Sequence, residues 1–508
     1  MTADIELDTL EAKGLIKLAA PLPELEYLFR HALVQDAAYG SLLKQERREL
    51  HGRVGEALEQ LYPDRRDELA PVLAMHFEQA GDGSKALDYF VASGRHALGQ
   101  NAITEAFHAF EKARELTESD TKDDEASRRR RIEIALGRAQ SGYSFTAPEE
   151  AVATLEAVVD EADRLGDPTL IARLHTYLAL ARLQLGDSSD QEDVKRSLDR
   201  IAEIGEQLGD PSLRALPLAL MGMSEVFTGN LRNGVTALEE ALPLLAHRDE
   251  SIGTAFARGA LAIGYSQLGD FEKAEAAAAN AIEIAKSGDL IAQLDALIAD
   301  SMVKLMKGEL DLAVPIAQEC VERSEATGAS ACAVVSSWIL GDAFHRQGRF
   351  AEATEVLKRG SDISLVLDRR VWRPTLQAWL RSSTAALGER ADVDLDEALA
   401  TARSIGNNVG EAGILAKRAE TAIHRGDVDA ALEDFATSAS LLEAMGARPI
   451  LARVLRSWGE ALQATGRPEE GSAILKRALE LFEAMGLERE AGVTRTAMSL
   501  GGTKLAFD

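Results

Sequence analysis

A glycine returns about every forty residues through most of this chain. Gly186, Gly229, Gly269, Gly308, Gly348, Gly388, Gly426 and Gly466 are separated by 43, 40, 39, 40, 40, 38 and 40 positions. A second series, Gly166, Gly209, Gly288, Gly328, Gly406, Gly446 and Gly486, runs about twenty residues out of phase, with Asp249 and Asp368 near its two missing members. Helical sequence fills the intervals. Two interleaved series of this kind describe helix-turn-helix units that cannot bury their apolar faces singly and must stack on one another.

Composition agrees with a stack. At 508 residues the chain exceeds the usual size of one compact core, and its 46% hydrophobic but only 5% aromatic content suits closely packed helices better than a sandwich or barrel. With 56 Lys+Arg against 83 Asp+Glu the net charge is −27, which argues against a broad nucleic-acid footprint. Two cysteines, Cys320 and Cys332, are too few for a disulfide framework. The sequence has no 18-residue apolar run and opens on the acidic MTADIELDTLEAKG, so the expectation is a cytoplasmic protein with no membrane segment.

The units share offsets. Around Gly269 stand Leu261, Tyr265, Phe271, Ala274 and Ala281; around Gly348 stand Leu340, Phe344, Phe350, Ala353 and Gly360; around Gly81 stand Leu73, Phe77, Ala86 and Phe90. Small residues fall where helices cross and large ones fill the hollows beside them. The pattern resembles the tetratricopeptide repeat over roughly residues 65–500. The resemblance implies an all-α, right-handed α-solenoid. The period is longer than the family's usual thirty-four, as in the sensor arms of large bacterial signalling ATPases. A HEAT-type array also has a period near forty, but the Leu-Gly-Asp turns followed by alanine favour the tetratricopeptide reading.

The first sixty residues differ. A helix ends at Gly14, and β-like stretches around Ile16–Leu18 and Tyr27–Phe29 flank Pro21 and Pro23, which reads as a partial winged helix. The run Phe29-Arg30-His31-Ala32-Leu33, then Ala38-Tyr39, Leu42-Leu43, Arg47-Arg48 and Leu50-His51, resembles the stretch after the ATPase module in bacterial class III adenylate/guanylate cyclase-like regulators. That resemblance implies an upstream ATPase and cyclase module, with Phe29, His31, Tyr39, Arg47, Arg48 and His51 either facing it or forming a packed helical junction. The expected organisation is 1–60 partial winged helix and junction helix, 61–120 first repeat helices, and 121–508 superhelix. Between the last two, ESDTKDDEASRRRR (118–131) reads as an exposed hinge or the start of a solvated helix.

Catalytic motifs are missing. Gly501-Gly502-Thr503-Lys504 has its lysine on the wrong side of the threonine for a phosphate loop, and Gly406–Gly413 follows a helix where a dinucleotide site needs a strand. No HExxH, CxxC or GxSxG occurs, and His31, His51, His76, His96 and His108 have no spacing that sets two on one helical face. No metal or cofactor is expected. A binding stripe is expected instead. Counting back 13, 10, 6 and 3 from Gly348 gives Val335, Trp338, Asp342 and His345, and from Gly308 gives Asp295, Ile298, Met302 and Leu305. These residues either line an inward groove that anchors a peptide or ligand or pack against the next turn of a tight coil.

The sequence therefore reads as a non-catalytic sensor and protein-interaction arm of a cyclase/ATPase regulator, whose partner is a protein or small-molecule effector. Two other readings stay open. One is a fragment of an ATP-binding cyclase or transcriptional regulator with catalytic domains upstream; the other is a free-standing tetratricopeptide adaptor.

Overall fold

The computed structural model describes residues 2–20, 26–100, 102–117, 123–142, 146–185, 188–210, 212–245, 251–286, 290–366, 371–389 and 394–499. Gly186, Gly288, Asp249, Asp368, Pro21, Pro23, residues 118–122 of the 118–131 hinge and Gly501–Lys504 lie outside them. The chain forms two compact units, one of Met1–His96 with His108–Thr121, the other of Ala97–Phe107 with Lys122–Asp508.

In the first unit a helix, Thr2–Ala12, precedes two antiparallel strands, Ile16–Ala20 and Glu26–Phe29, paired Ile16 with Phe29 and Leu18 with Tyr27. Helices Ala32–Ser41, Lys44–Leu61 and Ala70–Ala80 follow. A small core of Leu73, Phe77 and Ala86 is backed by Leu58, Tyr89 and Phe90. Gly55 lets the Lys44–Leu61 helix approach it, because a Cβ there would stand 2.9 Å from the Phe77 ring.

The second unit is an α-solenoid of tetratricopeptide-like helix pairs. The first helices of successive pairs are Pro168–Leu185, Ser212–Thr228, Ser251–Leu268, Leu290–Lys307, Ser330–Arg346, Arg373–Ala386, Asn408–Arg425 and Arg448–Ala464. Their partners include Leu231–Leu245, Phe271–Ala285, Leu310–Thr327 and Val428–Met445. Each first helix packs on its own partner and on the first helix of the next pair. One continuous core runs through the unit, with Ala274, Leu340, Ala353 and Phe435 among its buried members.

Every described glycine of the two periodic series has a positive φ, between 62° and 104°. At Gly348 (φ 74°) the chain leaves a helix through a left-handed residue, the Gly348 N–H reaching the His345 carbonyl at 3.0 Å and the Arg349 N–H the Phe344 carbonyl at 2.9 Å. These bonds satisfy carbonyls that a helix end would otherwise leave open. The 406–413 segment is such a turn, with Asn407 capping the next helix through the Gly410 N–H at 2.7 Å.

The coil is tight enough to touch itself. Arg448 donates to the Leu268 carbonyl, 180 residues away, at 2.6 Å, and Arg453 to the Met306 carbonyl, 147 residues away, at 2.6 Å. Each arginine covers a helix C-terminus with positive charge. Along the same seam the Met485 sulfur lies 2.5 Å from where a Cβ on Gly269 would be, and Glu490 lies 2.8 Å from the corresponding point on Gly308. No described helix is long and apolar enough to cross a membrane.

Candidate functional site

The inner helices of the second unit line a partly open pocket with an inner volume of about 190 Å³. Its wall advances along the helices by nearly one turn per repeat. Phe227 stands two residues before Gly229, Ile263 six before Gly269, Ile298 ten before Gly308, Val335 thirteen before Gly348, Trp372 sixteen before Gly388 and Asn407 nineteen before Gly426. A step of three or four residues keeps one face of an α-helix toward the same axis. The cavity is therefore an oblique bore, met by each inner helix nearer its N-terminal end than by the one before.

The wall is mostly apolar. Leu180, Met223, Phe256 and Ile263 join the residues above, and Arg182 and Asp295 are its charged members. Arg182 is engaged by Glu156 at 2.5 Å and Asp193 at 3.5 Å, while the Cys332 thiol donates to Asp295 at 3.8 Å. Aromatic rings back one side: Phe227 meets Trp372 edge-on at 5.5 Å, Trp372 meets Trp338 at 5.9 Å, and Trp338 meets Trp379 at 5.7 Å.

Behind the tryptophans lies a buried chain of charges. Asp342 accepts from the Trp379 indole at 2.7 Å and from Arg346 at 2.7 Å. Glu420 accepts from Lys417 at 2.8 Å and from Ser382 at 2.9 Å. Glu490 accepts from Arg453 at 3.1 Å and Arg456 at 2.5 Å. Burial alone would raise these carboxyl groups, but the facing cations win and hold all three below the ordinary range, Glu490 at about 2. His345 is pushed down by burial and by Lys417. Glu460 goes the other way, raised by burial and by Glu420 against the pull of Arg456.

The predicted stripe faces inward, yet it forms no open groove. Met302 is 1%, Asp342 3% and Trp338 8% exposed; Leu305 is core, and His345 hydrogen-bonds Ser383 at 2.9 Å. Of the counted residues, Asp295, Ile298 and Val335 reach the bore. Of the two readings of the stripe, packing against neighbouring helices fits Met302, Trp338, Asp342 and His345, since closure of the seam brings later repeats toward the concave side. Phe227, Trp372 and Asn407 escape the count because a fixed offset cannot follow a lining that shifts along the helices from repeat to repeat, whereas Phe256, thirteen residues before Gly269, keeps a counted offset in a repeat from which no count was made. That march of apolar residues is itself a sequence signal.

In the first unit Phe29 is 44% and Tyr39 42% exposed. Tyr39 hydrogen-bonds His51 at 3.1 Å, His51 contacts His76 nitrogen to nitrogen at 2.8 Å, and Arg47 lies over the Tyr39 ring at 5.1 Å. His31 is exposed at the start of its helix and Arg48 lies beside Gly81, both outside this group. The His51–His76 pair joins two helices, so spacing along one helix does not show it. Burial and then His51 lower the His76 pKa. Among the described residues no group of three or more His, Cys, Asp or Glu is placed to hold a metal ion. Arg128 and Arg131 of the basic run pair with Asp123 and Glu161, and Arg129 pairs with Asp167.

No protein-family model matches the chain. An uncharacterized protein of Rhizobium meliloti (strain 1021) is 31% identical over 120 residues, spanning 23% of this chain and 12% of that protein. The chain thus covers about an eighth of the length of this curated relative. Among solved structures, a Rap protein complexed with Competence and Sporulation Factor is similar at a TM-score of 0.53 and 14% identity, over 72% of this chain and 99% of its own. The APC/C hetero-tetramer Cut9-Hcn1 is similar at 0.51 and 11% identity, over 91% and 92%. At these identities the likeness concerns fold, and it agrees with the helical-repeat architecture.

Proposed function

We propose that this chain is a non-catalytic sensing and protein-interaction arm whose effector site is the bore. The observation that carries the reading is the oblique wall. An occupant would touch first helices of successive repeats at once, so it would favour one slide of each helix past the next and bias the coil as a whole. The similarly folded Rap protein was solved with Competence and Sporulation Factor, which supports a regulatory molecule as the kind of occupant.

The output would pass through the first unit. Of nineteen exposed large apolar side chains among the described residues, twelve lie before residue 80, a concentration that suits a docking face. With Phe29 and Tyr39 among them, that face would meet the ATPase and cyclase module that the sequence resemblance implies. His31, Arg47, Arg48 and His51 would supply its polar rim, and the whole would act in the cytoplasm.

Val335→Phe, which fills the bore, tests the sensing role. Metabolite fractions from a bacterial extract are screened for a rise in melting temperature. At least one fraction should stabilise the wild-type chain and leave the filled variant unmoved. If every stabilising fraction acts equally on both, the bore is not the effector site.

A further inference from the structure

We infer that the bore takes an uncharged aromatic small molecule about the size of a fused two-ring system. The inference rests on the sensing role proposed above and concerns the chemistry of the occupant.

Size comes first. An apolar protein cavity of roughly 150 Å³ stays dry and admits benzene, and the bore measures about 190 Å³. One fused ring more is what the difference allows inside the pocket.

Charge comes next. Arg182 is already paired with Glu156 and Asp193 and so offers no free cation to an anionic ligand, while Asp295, which accepts from the Cys332 thiol, is the one carboxylate on a mostly apolar wall. A charged ligand would leave its water for a mostly apolar surface, and that desolvation cost opposes its entry. A neutral ligand avoids it. Shape and softness then select an arene. Phe227, Phe256 and Trp372 give the wall ring edges and faces, against which aromatic ligands gain more than aliphatic ones of equal area. The Asn407 amide and the Ser224 and Thr228 hydroxyls offer places for one polar atom, so a ring N–H or a phenolic O–H is tolerated.

The test uses the purified full chain, calorimetric titration, and four probes: indole, tryptamine as the cation, indole-3-acetate as the anion, and cyclohexanol as the aliphatic control. Indole should bind at least tenfold more tightly than each of the others. Val335→Phe should weaken indole tenfold or more. Phe227→Leu, which keeps the wall apolar, should narrow the preference of indole over cyclohexanol, and it serves if the filled variant does not fold. Equal or tighter binding of a charged probe overturns the inference, as does indole binding that Val335→Phe leaves intact. If extract fractions discriminate wild type from Val335→Phe while indole does not bind, the ligand class is wrong and the sensing role stands. If neither discriminates, both fall.

Discussion

Gly269 and Gly348 form a natural experiment in the energetics of the seam. Both are left-handed, at φ 78° and 74°, and both follow the first helix of a pair. Alanine at Gly348 meets no atom within 4 Å, so it incurs only the backbone term, about 1–2 kcal/mol. A smaller unfolded-state entropy returns roughly 0.4–1 kcal/mol of that. Alanine at Gly269 has the same backbone term, but its methyl falls 2.5 Å from the Met485 sulfur and 3.5 Å from Arg448 Nε. Relieving that overlap moves the Arg448 guanidinium off the Leu268 carbonyl or displaces Met485, and overpacking of this kind costs about 1–3 kcal/mol more. Gly269→Ala should therefore be the more destabilising by about 1–3 kcal/mol, and Met485→Ala should erase most of the difference in a double-mutant cycle. Because repeat arrays can open in parts, the comparison is made on local opening free energies from hydrogen exchange in the 261–270 and 446–455 segments as well as on urea melts. Equal costs for the two alanines, or a Gly269→Ala cost indifferent to Met485, would refute the claim that the seam contributes to stability.

Three further outcomes are expected. Trp338→Ala should cost about 3–5 kcal/mol, seen as a lower melting temperature with or without ligand, because the ring is buried between Trp372 and Trp379; a neutral effect would return Trp338 to an exposed anchor. Arg453→Met strands the Glu490 carboxylate with Arg456 alone and should cost about 3–5 kcal/mol in a urea melt; a cost below 1 kcal/mol would mean the pair is solvated. Acid should destabilise in two stages. His345 titrates below its ordinary 6.5, so the unfolded chain binds that proton first and stability declines as pH drops under about 6.5, with His175 adding to the same limb. Asp342, Glu420 and Glu490, all depressed, hold stability that is complete above about 4.5 and lost below it, with the raised Glu460 contributing in the opposite sense. Melting temperature against pH, with His345→Gln flattening the first stage, checks the sign; an unchanged first stage in that variant contradicts it.

The repeat architecture is legible from local chemistry because each turn needs a left-handed residue and each helix crossing needs a small one, and both leave periodic marks. The N-terminal helix and hairpin are legible for the same reason. The bore is not, because it is set by superhelical pitch, which depends on contacts such as Arg448 with Leu268 that span 180 residues. A fixed offset found residues facing the axis, Ile298 and Val335 among them, without finding which of them meet empty space. Trp338 and Met302 illustrate this, since both belong to the counted stripe and both are buried, Trp338 beside Trp372 and Trp379 of the following repeat. The His51–His76 contact was hidden for a simpler reason, as it joins two helices whose crossing no single-helix periodicity encodes.

The seam has an evolutionary consequence. An open array can gain or lose a repeat by unequal recombination, since every unit touches only its neighbours. Here a forty-residue duplication between Gly308 and Gly446 would carry Arg448 and Met485 one repeat past their partners at Leu268 and Gly269. It would also interrupt the march of wall residues from Phe227 to Asn407. The seam should therefore constrain copy number as a unit, with homologues differing by substitution and loop length within repeats while keeping the number of repeats between Gly229 and Gly486 unchanged.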